Sequence, residues 1–563
     1  MRYLLALIVF FLFLSCGNEY TPTVVSARKD ASDIGVEIMK KGGNAFDAMI
    51  GVQLALSVSH PTAGNIAGGG FMVYKLKDGT DGTLDFRETA PADSSEKMYQ
   101  DENGNVIPGL SSIGGLAVGV PGTVSAIFEI HKKFGSLPIE ELFQPSIELA
   151  EKGYLVTKYL EDELNEKRDD FIKLNGKNSL YSKEYKSGDT IFNKMYANTL
   201  REIMNKGSDG FYKGKVAEDM IETISQSGGI MTMEDLSEYQ SVWRDPVRFK
   251  YKGYDIISMS FPSSGGVILG QMMKAIENFD LSKIKHNSPE YVQLLTEIER
   301  RAFADRSDLM GDPDFMKLPV YEFMDKEYVE SRMKNFSWDQ ATPSSEIKPG
   351  EIIFNESYET THFSIVDKEG NAVSVTTTLN NSFGSKVYVE NSGFFLNNEM
   401  DDFSSKPGYP NFFGVIGSEA NSIQPKKRML SAMTPTIVLK YNKPHLILGS
   451  PGGPSIITSV FQTILNVVEY NMDVNKAVSS PRFHHQWYPD LIVMENEAYS
   501  DELNSILSKK NYLIVKLPIE EETLGVYKRS DIGAVDAILI NENGEVFGGA
   551  DLRREHHSSS IEK

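Results

Sequence analysis

Residues 360–379 constrain the fold of this chain more than any other stretch. Thr360 and Thr361 open an alternating run through Phe363-Ser364-Ile365-Val366-Asp367, and a second run covers 372–379. Between them stands Lys368-Glu369-Gly370-Asn371. Period-two alternation on both sides of a Gly-containing turn predicts an antiparallel β-hairpin. The β-rich character continues beyond it. Residues 433–439 and 445–448 read as strands, and 534–540 with 545–548 flank the turn Asn541-Glu542-Asn543-Gly544 as a late hairpin. Between these, Ser450-Pro451-Gly452-Gly453 precedes an apolar, helix-like stretch at 456–468.

The half before Thr360 mixes helices and strands. A helix over 31–40 stops at Gly42-Gly43, and Asn44 is placed as the N-cap of the next helix with Asp47 at its third position. Ala45, Ala48, Met49, Val52, Ala55 and Leu56 recur on one face of that helix. Gly68-Gly69-Gly70 leads into a strand at 71–74, and a second strand over 83–87 runs into Glu88-Thr89-Ala90-Pro91. Because the glycine run feeds a strand and not a helix, it does not form a phosphate-binding loop. Residues 138–309 read as mainly helical, broken at Gly153, 227–229 and 262–266, and the Pro-, Asp-, Glu- and Ser-rich stretch 311–359 reads as a surface linker. Strands in both halves with helices around them predict layered sheets covered by helices.

A net charge of −21 argues against a nucleic-acid partner, whose phosphates would be repelled. At the N-terminus, Arg2 precedes an apolar run at 4–14, too short to span a hydrocarbon core of about 30 Å. The run ends in Leu14-Ser15-Cys16-Gly17, similar to a bacterial lipobox, in which the cysteine is acylated and becomes the mature N-terminus. The expectation is an exported, lipid-anchored protein of the bacterial cell envelope, with a plain secretory signal as the alternative. Cys16 is the only cysteine, so the folded part has no intrachain disulfide, no thiolate nucleophile and no cysteine metal site. The pairs His484-His485 and His556-His557 are adjacent, so their side chains diverge; no metal site and no cofactor are expected.

A threonine hydroxyl is a poor nucleophile unless a base stands beside it. Cutting the chain before Thr360 would turn its own α-amine into that base. Thr-Thr by itself also serves simply to open a strand, so the surrounding motifs decide. Thr360 to Lys368, Gly370 to Thr376, Thr378-Leu379-Asn380, Asn397 to Phe403, Ser450 to Gly453 and Pro481 to Trp487 stand in an order that resembles the small subunit of γ-glutamyltranspeptidases. Gly68 to Met72 and Asp85 to Pro91 are similar to the large subunit. The resemblance covers nearly everything after the signal segment. It implies an α/β protein with the four-layer αββα sandwich of N-terminal nucleophile hydrolases. It also implies self-cleavage between Glu359 and Thr360. After a signal segment at 1–16, residues 17–359 would form the large subunit and 360–563 the small one, together making one composite catalytic domain.

The same resemblance implies the site. Thr360 would be the nucleophile in autoprocessing and in acyl transfer, with Thr378 supporting its hydroxyl. Gly452 and Gly453 would offer backbone N–H groups to the oxyanion, which suits residues without a Cβ. Arg87 would take the donor α-carboxylate through its planar fork, while Asn380, Glu399 and Asp402 would take the α-ammonium. Many family members place two serines against the donor carboxylate; here Ser431 is followed by Ala432. Residues 406–414 are similar to the lid loop of bacterial members, with Phe413 where those often carry a tyrosine. The implied partners are glutathione and other γ-glutamyl compounds, with water, amino acids or peptides as acceptors. A glutaryl- or cephalosporin-type acylase and an inactive binding homologue are the alternatives. The ammonium-binding set favours the γ-glutamyl reading over the first, and the intact Thr360, Thr378, Gly452 and Gly453 over the second.

Overall fold

The computed structural model describes residues 19–348, 360–406, 408–409, 419–518 and 531–561, without the side chains of 308 and 309. Cys16, Glu359 and Phe413 lie outside the described residues, as do the boundary between the expected subunits and most of the expected lid.

Two antiparallel sheets form the centre. Numbered in chain order across both, the first contains β1 (Thr23–Ser26), β2 (Gly69–Lys75), β3 (Asp81–Asp85), β4 (Val242–Arg244), β7 (Thr361–Val366), β8 (Ala372–Thr378) and β13 (His557–Ser560), in the order β13-β1-β7-β8-β2-β3-β4. The second contains β5 (Val247–Tyr251), β6 (Tyr254–Ser258), β9 (Thr436–Lys440), β10 (Lys443–Gly449), β11 (Asp536–Ile540) and β12 (Val546–Ala550), in the order β12-β11-β10-β9-β6-β5. The hairpin expected around residues 368–371 is β7–β8, which pairs Val366 with Ala372 and Thr361 with Thr377.

Three apolar layers account for the stacking. Val25, Phe71 and Val73 from the first sheet meet Ile257, Ile437, Ile447 and Ile538 from the second. The outer face of the first sheet packs under α1 (Lys29–Lys40), α2 (Ala45–Ser59) and α3 (Ile139–Lys152). The outer face of the second packs under α4 (Gly265–Ile276), α5 (Pro289–Leu309) and α6 (Ser455–Val468). The order is therefore helix, sheet, sheet, helix: the αββα sandwich.

Both faces of each sheet are covered, so β2, β7 and β8 are buried along their whole length. The polar half of the β7–β8 alternation does not face water. It faces the second sheet and is matched there by hydrogen bonds: the Ser364 hydroxyl to the Ile447 and Asp536 carbonyls, each at 3.3 Å, and Ser374 to Leu448 at 3.0 Å. A buried polar group so paired escapes most of its desolvation cost.

The Asn44–Asp47 capping box forms as expected and starts α2. That helix is buried on every side and not on one face, because α1, α3 and the first sheet surround it. The helical reading of 138–309 needs correction at β4, β5 and β6. The signal was present in Val247-Arg248-Phe249-Lys250-Tyr251, which alternates buried and exposed, and in the two-residue turn Lys252-Gly253, both at positive φ. The stretch 311–348 is not a loose linker either. It contains a helix at Lys326–Met333 and buries Phe323, Val329 and Ile347. Among the described residues no helix is long and apolar enough to cross a membrane.

Candidate active site

Thr360 stands at the entrance to β7, 4% exposed, and its hydroxyl oxygen has no hydrogen-bond partner among the described residues. By parity it shares the inter-sheet face with His362 and Ser364. Continuing the β7–β8 register one step beyond Thr361–Thr377 brings Thr378 opposite Thr360. The Thr378 hydroxyl oxygen accepts the Asn380 N–H at 2.6 Å and so fixes the turn that leaves β8. Asn380 has φ of 70°, a left-handed conformation that asparagine tolerates better than most residues. Its amide donates to the Asn398 carbonyl at 3.0 Å, and its Oδ1 is buried with no hydrogen-bond partner among the described residues.

A narrow cavity gathers these groups. Thr360, Thr361, Asn380 and Pro451 line it, with Tyr159, Arg554 and His556 on the other walls. Only about 10 Å³ of it is open to the centre of a water molecule, room for about one water. Pro451 leads into Gly452 and Gly453, at φ of 133° and 60°, just before the first turn of α6. A Cβ on Gly452 would stand 2.7 Å from Ser455 Oγ and 2.9 Å from the Gly533 Cα, so this position requires glycine. Unpaired N–H groups at a helix N-terminus suit a developing negative charge.

A second cluster surrounds Arg87, two residues past the end of β3. The guanidinium is buried, and its Nη1 and Nη2 pair with Glu399 and Asp402. Nε and Nη2 also donate to the Met429 and Leu430 carbonyls, each at 3.2 Å, which tie Arg87 to the chain just before Ser431. Glu399 directly follows Asn398, whose carbonyl holds Asn380, so the cluster and the Thr360 cavity share a backbone. Ser431 is buried, its hydroxyl oxygen accepting the Met433 N–H at 3.1 Å.

The cluster carries more acid than one arginine balances. Glu88 Oε2 lies 3.6 Å from Arg87 Nη1, and neither Glu88 oxygen is hydrogen-bonded among the described residues. Burial pushes Glu88 up to about 8, against the pull of Arg87. Burial likewise holds Glu399 and Asp402 well above the usual carboxylate range, again opposed by Arg87. Burial would lower Arg87, but Glu399, Asp402 and Glu88 outweigh it and raise it. Burial lowers Arg306, opposed by the charge of Asp402.

The structure thus gathers Thr360, Thr378, Asn380 and the start of Gly452-Gly453 on one side, and Arg87, Glu399, Asp402 and the approach to Ser431 on the other. The sequence reading gave no role to Glu88, Arg306, Asp536 or His556. Glu88 was adjacent to a singled-out arginine, but the other three are distant in sequence and only the fold places them here.

Sandwich and site together define the N-terminal nucleophile hydrolase class. The family model for gamma-glutamyltranspeptidase matches residues 31–561, and the chain belongs to that family. It is 41% identical over 535 residues to the glutathione hydrolase proenzyme of Escherichia coli K12, covering 94% of this chain and 90% of that one. It is 45% identical over 461 residues to the glutathione hydrolase proenzyme of Pseudomonas aeruginosa, covering 81% of each. The cephalosporin acylase of Bacillus halodurans has the same fold, with a TM-score of 0.83 at 24% identity over 97% of this chain and 96% of that one.

Proposed function

We propose that this protein is a self-processing γ-glutamyl hydrolase and transferase acting on glutathione and related γ-glutamyl compounds. One observation carries the reading: a buried threonine hydroxyl and an asparagine oxygen, neither hydrogen-bonded among the described residues, share a cavity with Pro451, which leads into the glycine pair just before α6. After cleavage before Thr360, its α-amine, with a reference pKa of about 7.7–8.0, takes the hydroxyl proton as Oγ attacks the γ-carbonyl of the donor. The N–H groups of Gly452 and Gly453 receive the oxyanion, and Thr378 steadies the nucleophile. The leaving amine takes the proton back from the α-ammonium. Water, or the amine of an amino acid or peptide, then attacks the γ-glutamyl ester, and Thr360 Oγ leaves protonated.

Arg87 would bind the donor α-carboxylate, assisted by Ser431. Glu399, Asp402 and Asn380 Oδ1 would bind the α-ammonium, whose charge offsets the acidic excess. In the uncut chain Arg87 is engaged by Glu399 and Asp402, so a donor must insert between them. The test is a denaturing gel beside a γ-glutamyl anilide assay. Wild type runs as two bands, the smaller beginning at Thr360; Thr360→Ala runs as one band without activity. A fully active, uncut wild type refutes the reading.

The lipobox-like segment supports lipid attachment at Cys16 and residence in the cell envelope. Native protein then partitions with membranes, and Cys16→Ala releases it or blocks its processing. An unmodified Cys16 in the mature protein's mass spectrum refutes the anchor.

A further inference from the structure

The α-amine that serves the mature enzyme as its base does not exist before cleavage. In the uncut chain the Thr360 nitrogen is an amide, which has no basic lone pair, yet the first chemical act of the protein is to activate the Thr360 hydroxyl. The proton must therefore go to another group. His556 lines the Thr360 cavity, and its Nδ1 lies 2.9 Å from Asp536 Oδ1, with both residues buried. An ionised Asp536 can only accept in that contact, which makes Nδ1–H the donor and leaves Nε2 as the basic nitrogen. The ring is also aimed by the backbone. Glu555, just before it, sits at φ of 60°, a left-handed conformation costly for glutamate, and the His556 N–H donates to the Asp551 carbonyl at 3.3 Å.

We propose that His556, oriented by Asp536, is the general base of self-cleavage, taking the Thr360 Oγ proton across the water-sized cavity that they share. This inference rests on the reading of Thr360 as the self-cleaving residue. The step balances as follows. The Oγ proton passes through one water to His556 Nε2 as Oγ bonds to the carbonyl carbon preceding Thr360. The C–N bond then breaks, and the nitrogen leaves as an amine with the proton returned from the imidazolium. Water hydrolyses the resulting ester, giving a carboxylate on Glu359 and freeing the Thr360 hydroxyl. One water is consumed, and the base for every later turnover has been made.

Several titratable and charged groups surround His556. Asp536 faces it from β11. Its carboxyl is raised by burial, with His556 opposing. His362 on β7 is held well below the usual imidazole range, first by burial and then by His556, which makes it a weak base, and its two ring nitrogens are engaged by the Thr376 and Ser364 hydroxyls at 2.9 and 3.0 Å. Asp551 stands near Asp536. On the cavity wall Arg554 is tied to Asp531 at 2.8 Å, and His60 contacts the Thr62 hydroxyl. His557 turns away into β13, opposite Ser26.

Freshly translated full-length precursor, followed on denaturing gels across pH, tests this. Wild-type cleavage slows as pH falls, because protonation of the imidazole removes the base. His556→Gln cuts about a hundredfold more slowly or worse and loses that pH dependence, as general-base loss of 10²–10⁴ requires. Asp536→Asn cuts more slowly with the pH dependence displaced. Added imidazole accelerates cleavage of His556→Ala and leaves Thr360→Ala uncut, which separates lost chemistry from lost folding. His556→Gln maturing at the wild-type rate and pH profile overturns the inference, as does a slow His556→Ala that imidazole fails to rescue. A wild type that never cuts overturns the Thr360 reading and this inference with it.

Discussion

Arg87→Gln removes the cation that Glu88, Glu399 and Asp402 share. Two effects follow, and the structure separates them. The first is on stability: Glu399 and Asp402 lose their ion-pair partner and Glu88 loses its neighbour at 3.6 Å. Breaking a buried pair costs about 3–5 kcal/mol. Protonation of the three carboxylates, already favoured by burial, offsets part of this, so the variant is least impaired at acid pH. The second is on binding: a charged hydrogen bond to the donor carboxylate contributes about 1.5–3 kcal/mol, or roughly ten- to a hundredfold in KM. The assay is steady-state hydrolysis of γ-glutamyl anilide by the cut enzyme, with a melting curve on the same sample. A parallel series uses a donor that has the ammonium but lacks the α-carboxylate. Arg87→Gln raises KM for the full donor by that factor and leaves KM for the truncated donor nearly unchanged. Equal loss for both donors means the effect is structural, and an unchanged KM for the full donor refutes the assignment.

Glu88→Gln tests the acidic excess itself. The folded protein holds the Glu88 proton up to about 8, whereas the unfolded chain releases it near the ordinary value of 4.5. The unfolded state therefore binds fewer protons in that window, and stability falls as pH rises through it. Glu88→Gln flattens this part of the stability–pH curve by a few kcal/mol; urea melts at pH 5 and 8 that change as in wild type refute the reading. Gly452→Ala forces a Cβ against Ser455 and Gly533 at a φ that L-residues avoid, and so displaces the N–H that the proposed mechanism assigns to the oxyanion. It lowers kcat by about 10²-fold with little change in KM, and a kcat within twofold of wild type rules out this part of the oxyanion hole.

The sequence by itself determined the features that depend on near neighbours. The Asn44–Asp47 capping box, the turn joining β7 and β8, the glycine pair ahead of α6 and the threonine at the head of β7 are local patterns, and each stands where it was expected. The motif order alone pointed to the family and to Arg87, Asn380, Glu399 and Asp402. What covers a face was decided by the tertiary structure. The Ser364 and Ser374 alternation reads identically whether its polar side meets water or the carbonyls of a second sheet. A helix such as α2 reads as one-sided until neighbours close on every side. β4 to β6 were missed because their alternation is short and lies between long helical stretches. Charge balance is still less local: the acids around Arg87 come from position 88 and from 399 and 402, more than 300 residues further along. His556 meets Asp536 and the Thr360 cavity only because β13, at the C-terminal end of the described chain, pairs with β1 beside β7. Periodicity records which side of an element a residue occupies; only the packing of distant elements decides which charges share one low-dielectric space, and so which protons can move there.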